Sequence, residues 1–235
     1  MTAFRMAPVV LGVSLVATVP PARAGQPLFT DDAAVVAPQT CQLEAWTRSS
    51  GEGREYWAQP ACNFTGNLEL TIGGARVHPD DAANASLVQL QAKTVVLTTE
   101  DSVWSFGAVG GAGRDTGAPH GSSAFQLYYA KALASWYPQS DLEIDLNLGA
   151  ANGYASGTFG IAGAAIQYTV VTNLQLLAEV FRGEPGNGRY QVGARWIVVP
   201  NQFEAYVSYG SLFHGSTDRW SAIVGIRLQT PAFLP

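Results

Sequence analysis

Twelve ionisable residues share one parity of segments in which polar and apolar side chains alternate: Glu44, Arg48, Glu55, Glu69, Arg76, Lys93, Glu143, Asp145, Glu179, Arg195, Glu204 and Arg227. A period of two places them on a single face of a sheet. If that face lines a tube, opposed carboxylates and guanidinium groups define an electrostatic constriction, and these residues are expected to line a pore. The alternative is that they pair with one another and fill the interior, as in small barrels. Acids outnumber bases in the set, so a weak preference for cations or neutral solutes is expected.

Other chemistry finds less support. His120-Gly-Ser122 has a His-x-Ser spacing that would put both side chains on one face of a strand, as in a lipid-hydrolysing outer-membrane barrel. His214-Gly-Ser216 repeats the tripeptide in another loop, however, and glycine-rich loops produce such matches by composition. His78, like the other two histidines, is expected in a loop or at an external strand end. Metal-ligand spacing is absent, as are phosphate-loop and dinucleotide fingerprints. No enzyme activity, metal or cofactor is expected.

Strand-like segments cover roughly 41–49, 55–64, 67–77, 87–97, 103–112, 124–136, 142–150, 158–168, 174–182, 189–198, 202–210 and 219–228. Leu142, Ile144, Leu146 and Leu148 alternate with Glu143, Asp145 and Asn147. Trp220, Ala222, Val224, Ile226 and Leu228 alternate with Ser221, Gly225 and Arg227. Gly73-Gly74 is expected to form a bulge, since Glu69 and Arg76 would otherwise face opposite ways. Lys131 interrupts the pattern of its strand.

The connections alternate in length. Thr65-Gly66, 98–101, 138–141, 171–173 and Pro200-Asn201 are short; 78–86, 113–123, 152–157, 183–188 and 214–218 are mostly longer and richer in Gly, Asp and Ser. Aromatic residues cluster near both sets of turns, among them Trp104, Trp136 and Tyr168 at one end and Tyr190, Tyr209 and Trp220 at the other. The pattern predicts an all-β fold: a transmembrane, antiparallel, up-and-down β-barrel of about twelve strands, with short periplasmic turns and longer external loops. A secreted β-sandwich is the competing fold.

Composition agrees with a barrel in lipid. The 235-residue chain is 47% hydrophobic yet only 13% charged, and its lysines are Lys93 and Lys131 alone. A net charge of −5 argues against nucleic acid. Arg5, the apolar run from Pro8 to Val19 and Ala22-Arg23-Ala24 read as a signal peptide over 1–24, cleaved after Ala24. Residues 25–40 do not alternate. They are expected to be a periplasmic leader or a lumen plug, with Thr30-Asp31-Asp32 capping a short helical turn. The barrel then spans 41–235.

The cysteines give a register. Folding the first hairpin about the midpoint of 49–54 opposes residues whose numbers sum to 103, and Cys41 and Cys62 satisfy this on one face. A disulfide is expected between them in an oxidising compartment.

Pro27-Leu28-Phe29-Thr30-Asp31-Asp32-Ala33, Cys41-Gln42-Leu43-Glu44-Ala45-Trp46 and the ending Gly225-Ile226-Arg227-Leu228-Gln229-Thr230-Pro231 resemble proteobacterial outer-membrane proteins similar to the porin-like meta-pathway phenol-degradation transporters. That resemblance implies uptake of small solutes, including aromatic ones. The chain departs from the usual terminal-aromatic assembly signal: 230–235 follow the last strand, with Phe233 outside the alternation. The expectation is therefore a monomeric barrel in a bacterial outer membrane, in contact with lipid and small-molecule solutes. Its biogenesis would use periplasmic chaperones and the barrel assembly machinery. A closed structural or adhesive barrel is the alternative.

Overall fold

The computed structural model describes residues 26–115, 125–153, 156–183, 188–213 and 220–234. It contains β1 (Cys41–Ser50), β2 (Gly53–Asn63), β3 (Leu68–Pro79), β4 (Ala85–Thr98), β5 (Trp104–Asp115), β6 (Leu127–Gln139), β7 (Leu142–Gly153), β8 (Gly157–Val171), β9 (Leu174–Arg182), β10 (Arg189–Val199), β11 (Phe203–Leu212) and β12 (Trp220–Gln229). Each strand pairs antiparallel with its sequence neighbours, and β12 returns to β1, so the sheet closes with no free edge. Every expected strand is present, displaced by at most a few residues.

Side-chain alternation explains the closure. In β3, Leu70 and Ile72 stand outward at 45% and 61% exposure, while Glu69 and Thr71 between them are at 3% and 4%. The same rule puts Leu146, Leu148, Val192, Trp196, Val207 and Val224 on an apolar outer wall. The inner wall carries carboxylates, amides and hydroxyls, interrupted by apolar contacts such as Trp46 stacked on Trp57 at 5.3 Å.

Cys41 faces Cys62 in the β1–β2 ladder, which follows the expected register, and a disulfide joins them. Both alternate with the inward residues Gln42 and Asn63, so the bridge lies on the outer parity at the short-turn end. Register shifts near the short turns fall between Val95 and Leu97, Trp136 and Gln139, Thr169 and Val171, and Ile197 and Val199. Barrel rims are where such irregularities concentrate.

The expected Gly73-Gly74 bulge is not there. Pairing runs without a break through Ile72–Leu90, Gly73–Gln89 and Gly74–Val88. Arg76 therefore keeps the outer parity. It is exposed and donates to the Ser86 hydroxyl at 2.6 Å on the adjacent strand.

Residues 26–40 adopt no helix, so the short turn expected at Thr30–Asp32 does not form. Their side chains and backbone bond to β1, β3, β4, β6, β7, β9 and β10. Only a segment inside the barrel can reach strands all around its wall. Glycine makes room for it: a Cβ at Gly163 on the inner face of β8 would stand 2.5 Å from Thr30 Oγ1.

Candidate functional site

A chain without its own ladder must find other partners for its backbone groups when it is buried. The inner wall supplies them. Both Glu179 oxygens accept from the Phe29 amide at 2.9 and 3.1 Å, and Oε2 also accepts from Thr30 at 2.9 Å. Asn147 accepts from the Asp31 amide at 2.8 Å and donates to the Asp31 carbonyl at 2.7 Å. Ser135 accepts from Ala33 at 2.8 Å and passes its own proton toward Asp145 at 2.5 Å. Ser105 donates to the Ala33 carbonyl at 2.8 Å, and Glu69 accepts from Val36 at 2.8 Å. Gln191 and Arg195 donate to the carbonyls of Pro27 and Gln26 at 2.5 and 3.1 Å.

Charge fixes the segment further. Lys93 Nζ meets Asp32 Oδ1 at 2.6 Å, with both side chains only 1% exposed. Lys131 pairs with Asp31. Burial alone would raise the Asp31 carboxyl, but Lys131 and Lys93 outweigh it and hold the group below its ordinary range. Phe29 stacks on Phe181 at 5.5 Å, with the guanidinium groups of Arg48 and Arg189 each 4.9 Å from its ring.

Of the ionisable residues singled out in the sequence, Glu44, Glu69, Lys93, Asp145, Glu179, Arg195, Glu204 and Arg227 are buried on the inner wall. Arg227, Glu204 and Arg195 form a ladder of alternating charge, at 2.6 and 3.5 Å. Arg48 pairs with Glu55 at 3.5 Å on the same wall, and Glu143 shares the inner parity of Asp145. Arg76 is outside. Lys131 is the residue whose role sequence reasoning missed. Its inward neighbours Tyr129 and Leu133 are apolar and its outward ones are alanines, so β6 carries no clear polar face. The available signal was numerical: Asp31 and Asp32 match the chain's two lysines. His120, Ser122, His214 and Ser216, the segment 1–24 and much of the long loops lie outside the described residues.

The segment divides the lumen. On the short-turn side, a cavity of about 560 Å³ lies between Ala33–Pro38 and residues at the ends of β4, β7, β8 and β9. On the long-loop side, a cavity of about 330 Å³ is lined by Phe29, Glu44, Trp57, Gln91 and Lys131, among others.

This fold resembles the KdgM porin, with a TM-score of 0.63 at 14% identity, covering 80% of this chain and 98% of that one. The NanC porin aligns with a TM-score of 0.57 at 10% identity, over 80% and 98% of the two chains. The Acinetobacter baumannii outer membrane protein Omp33 gives 0.54 at 7% identity, over 81% and 98%. At such identities the likeness is one of fold. No curated protein matches the sequence. The family model described as "Uncharacterised conserved protein UCP029691" matches residues 12–230, and the chain belongs to that family.

Proposed function

We propose that the protein is a porin-like outer-membrane barrel that passes small solutes, with residues 25–40 acting as a plug held in the lumen. The carrying observation is a closed barrel, apolar outside and polar inside, with cavities on both sides of a segment held by noncovalent bonds. Removing that segment would join the cavities into one path. The KdgM and NanC porin folds support the same location and class of function, and the outer membrane protein Omp33 supports the location. The inward ionisable residues would filter by size and charge. The signal peptide would be removed after Ala24, and a monomer would be delivered by periplasmic chaperones and the assembly machinery. Aromatic solutes are the finer reading, supported by the likeness of the chain ends to phenol-degradation transporters.

Single-channel recording of the mature protein and of a 25–38 deletion tests this. The deletion should give larger, more stable ohmic steps than the intact chain. Equal conductance in both would remove the plug. Silence in both, with folding verified by heat-modifiable gel mobility, would favour a structural barrel.

A further inference from the structure

The cavity at the short-turn end has an unusual balance of groups. Ala33, Val36, Leu142 and Val95 give it apolar walls, while Glu143 and Asp141 contribute carboxylates, and among the described residues no Lys, Arg or His lines it. Among the described residues neither acid takes part in an ion pair. The nearby cations are committed elsewhere: Lys93 to Asp32, and Arg195 to Gln167, Gln175, Glu204 and the Gln26 carbonyl. Tyr137 offers its hydroxyl beside Glu143, and Gln175 and Thr169 add further polar atoms to the same wall.

An anionic solute would meet only like charge and neutral dipoles here. A neutral one would leave Glu143 without a counter-ion, so the group would be held there as the neutral acid and offer a hydrogen bond only. A primary ammonium on a compact apolar body satisfies both features, by pairing with the acid and by filling the apolar wall.

We propose that this vestibule is a binding site for small organic amines, with Glu143 as the counter-ion and the plug itself as one wall. The proposal rests on reading the lumen as a solute path and names the class of solute at that end of it. The occupant touches Ala33 and Val36, so binding also favours the docked plug.

The test is equilibrium titration calorimetry on the mature protein in detergent, using benzylammonium, benzyl alcohol and benzoate as ligands of one shape. The ammonium should bind about tenfold more tightly than the alcohol, and benzoate more weakly than either. Glu143→Gln should abolish the preference for the ammonium over benzyl alcohol, with folding verified by heat-modifiable mobility. Asp141→Asn, in the turn at the cavity's rim, should reduce the preference less. Equal binding of the three ligands, absence of ammonium binding, or an undiminished preference in Glu143→Gln would overturn the proposal. Binding is read without conduction, so amine binding by a silent barrel would refute the channel and leave the site standing.

Discussion

Replacing Asp32 by alanine should loosen the plug without unfolding the barrel. The Asp32 carboxylate is the 2.6 Å partner of Lys93, and neither side chain has more than 1% exposure. Removing one member of a buried pair costs about 3–5 kcal/mol, because the other charge is left uncompensated. Two features of the site argue for the lower end. Glu69 faces Lys93 in the β3–β4 ladder, and Asp31 also contributes negative potential at the ammonium. A cost of about 3 kcal/mol corresponds to roughly a hundredfold rise in the open population, at 1.4 kcal/mol per factor of ten. Amide hydrogen exchange reads that population. Protection of Ala33 and Val36, whose N–H groups donate to Ser135 and Glu69, should fall about a hundredfold, while the mid-strand amides of β7 keep theirs. Converting the partner as well, in Asp32→Leu with Lys93→Met, should recover protection to within about tenfold, since an apolar pair leaves no buried charge. Unaltered exchange in Asp32→Ala, or a double variant as open as the single one, would refute the assignment of this pair as the main anchor.

Docking should also respond to acid. Asp31 is held below its ordinary range when docked, so its contribution is complete above the ordinary aspartate value and is lost as pH falls through the docked one. Protection factors at Phe29 and Asp31 should therefore drop below about pH 4, and Asp31→Asn should flatten that limb while weakening docking at neutral pH. Gly163→Val places side-chain carbons where Thr30 lies, and should expel the plug and raise conductance toward that of the 25–38 deletion; unchanged conductance would count against the glycine's role. Replacing Cys41 and Cys62 together by serine opens a bridge with a sequence separation of 21 residues. That should lower stability to denaturant by about 3 kcal/mol, and matching midpoints for oxidised and reduced wild type would contradict it.

How much of this was legible in the sequence depended on the period of the signal. β7 and β11 were readable because each inward acid or amide is flanked by outward apolar residues, Leu142, Ile144, Leu146 and Leu148 in β7 and Phe203 and Ala205 in β11. The first hairpin was readable down to its register, because two cysteines can oppose each other in few ways. β3 misled, because Glu69 and Arg76 are an odd number of residues apart and two glycines between them invited a bulge. An arginine close to the strand end does not need the lumen, since it can reach the rim and bond there, as Arg76 does with Ser86. Residues 26–40 were opaque for a different reason. Several of their bonds link positions more than 100 residues apart, such as Asp31 to Asn147 and Phe29 to Glu179, and no local pattern reports such pairs.

The excess of inward acids deserves a different reading once the plug is in place. Counted from the sequence, it suggested a cation preference. In the folded chain Glu179 serves the amides of Phe29 and Thr30, Glu69 serves Val36, and Glu44 accepts from Gln26 at 3.3 Å. These carboxylates act as acceptors for a peptide with no ladder of its own, and their charge is partly spent on N–H dipoles. Asp31 and Asp32 enter with the plug and occupy the two lysines, so the docked lumen keeps a negative balance shared among fixed partners. Undocking changes both sides of this account. The wall regains Lys131 and Lys93, the latter still facing Glu69, as cations freed of the plug's carboxylates, but it also exposes Glu44, Glu69 and Glu179 to water and to passing ions. The wall's acids still exceed its bases, so the open pore should be mildly cation-selective, and it should lose part of that selectivity in Glu179→Gln. Reversal potentials across a potassium chloride gradient measure this for the 25–38 deletion. A reversal potential of anion-selective sign would mean that the released lysines, and not the carboxylates, set the field along the path.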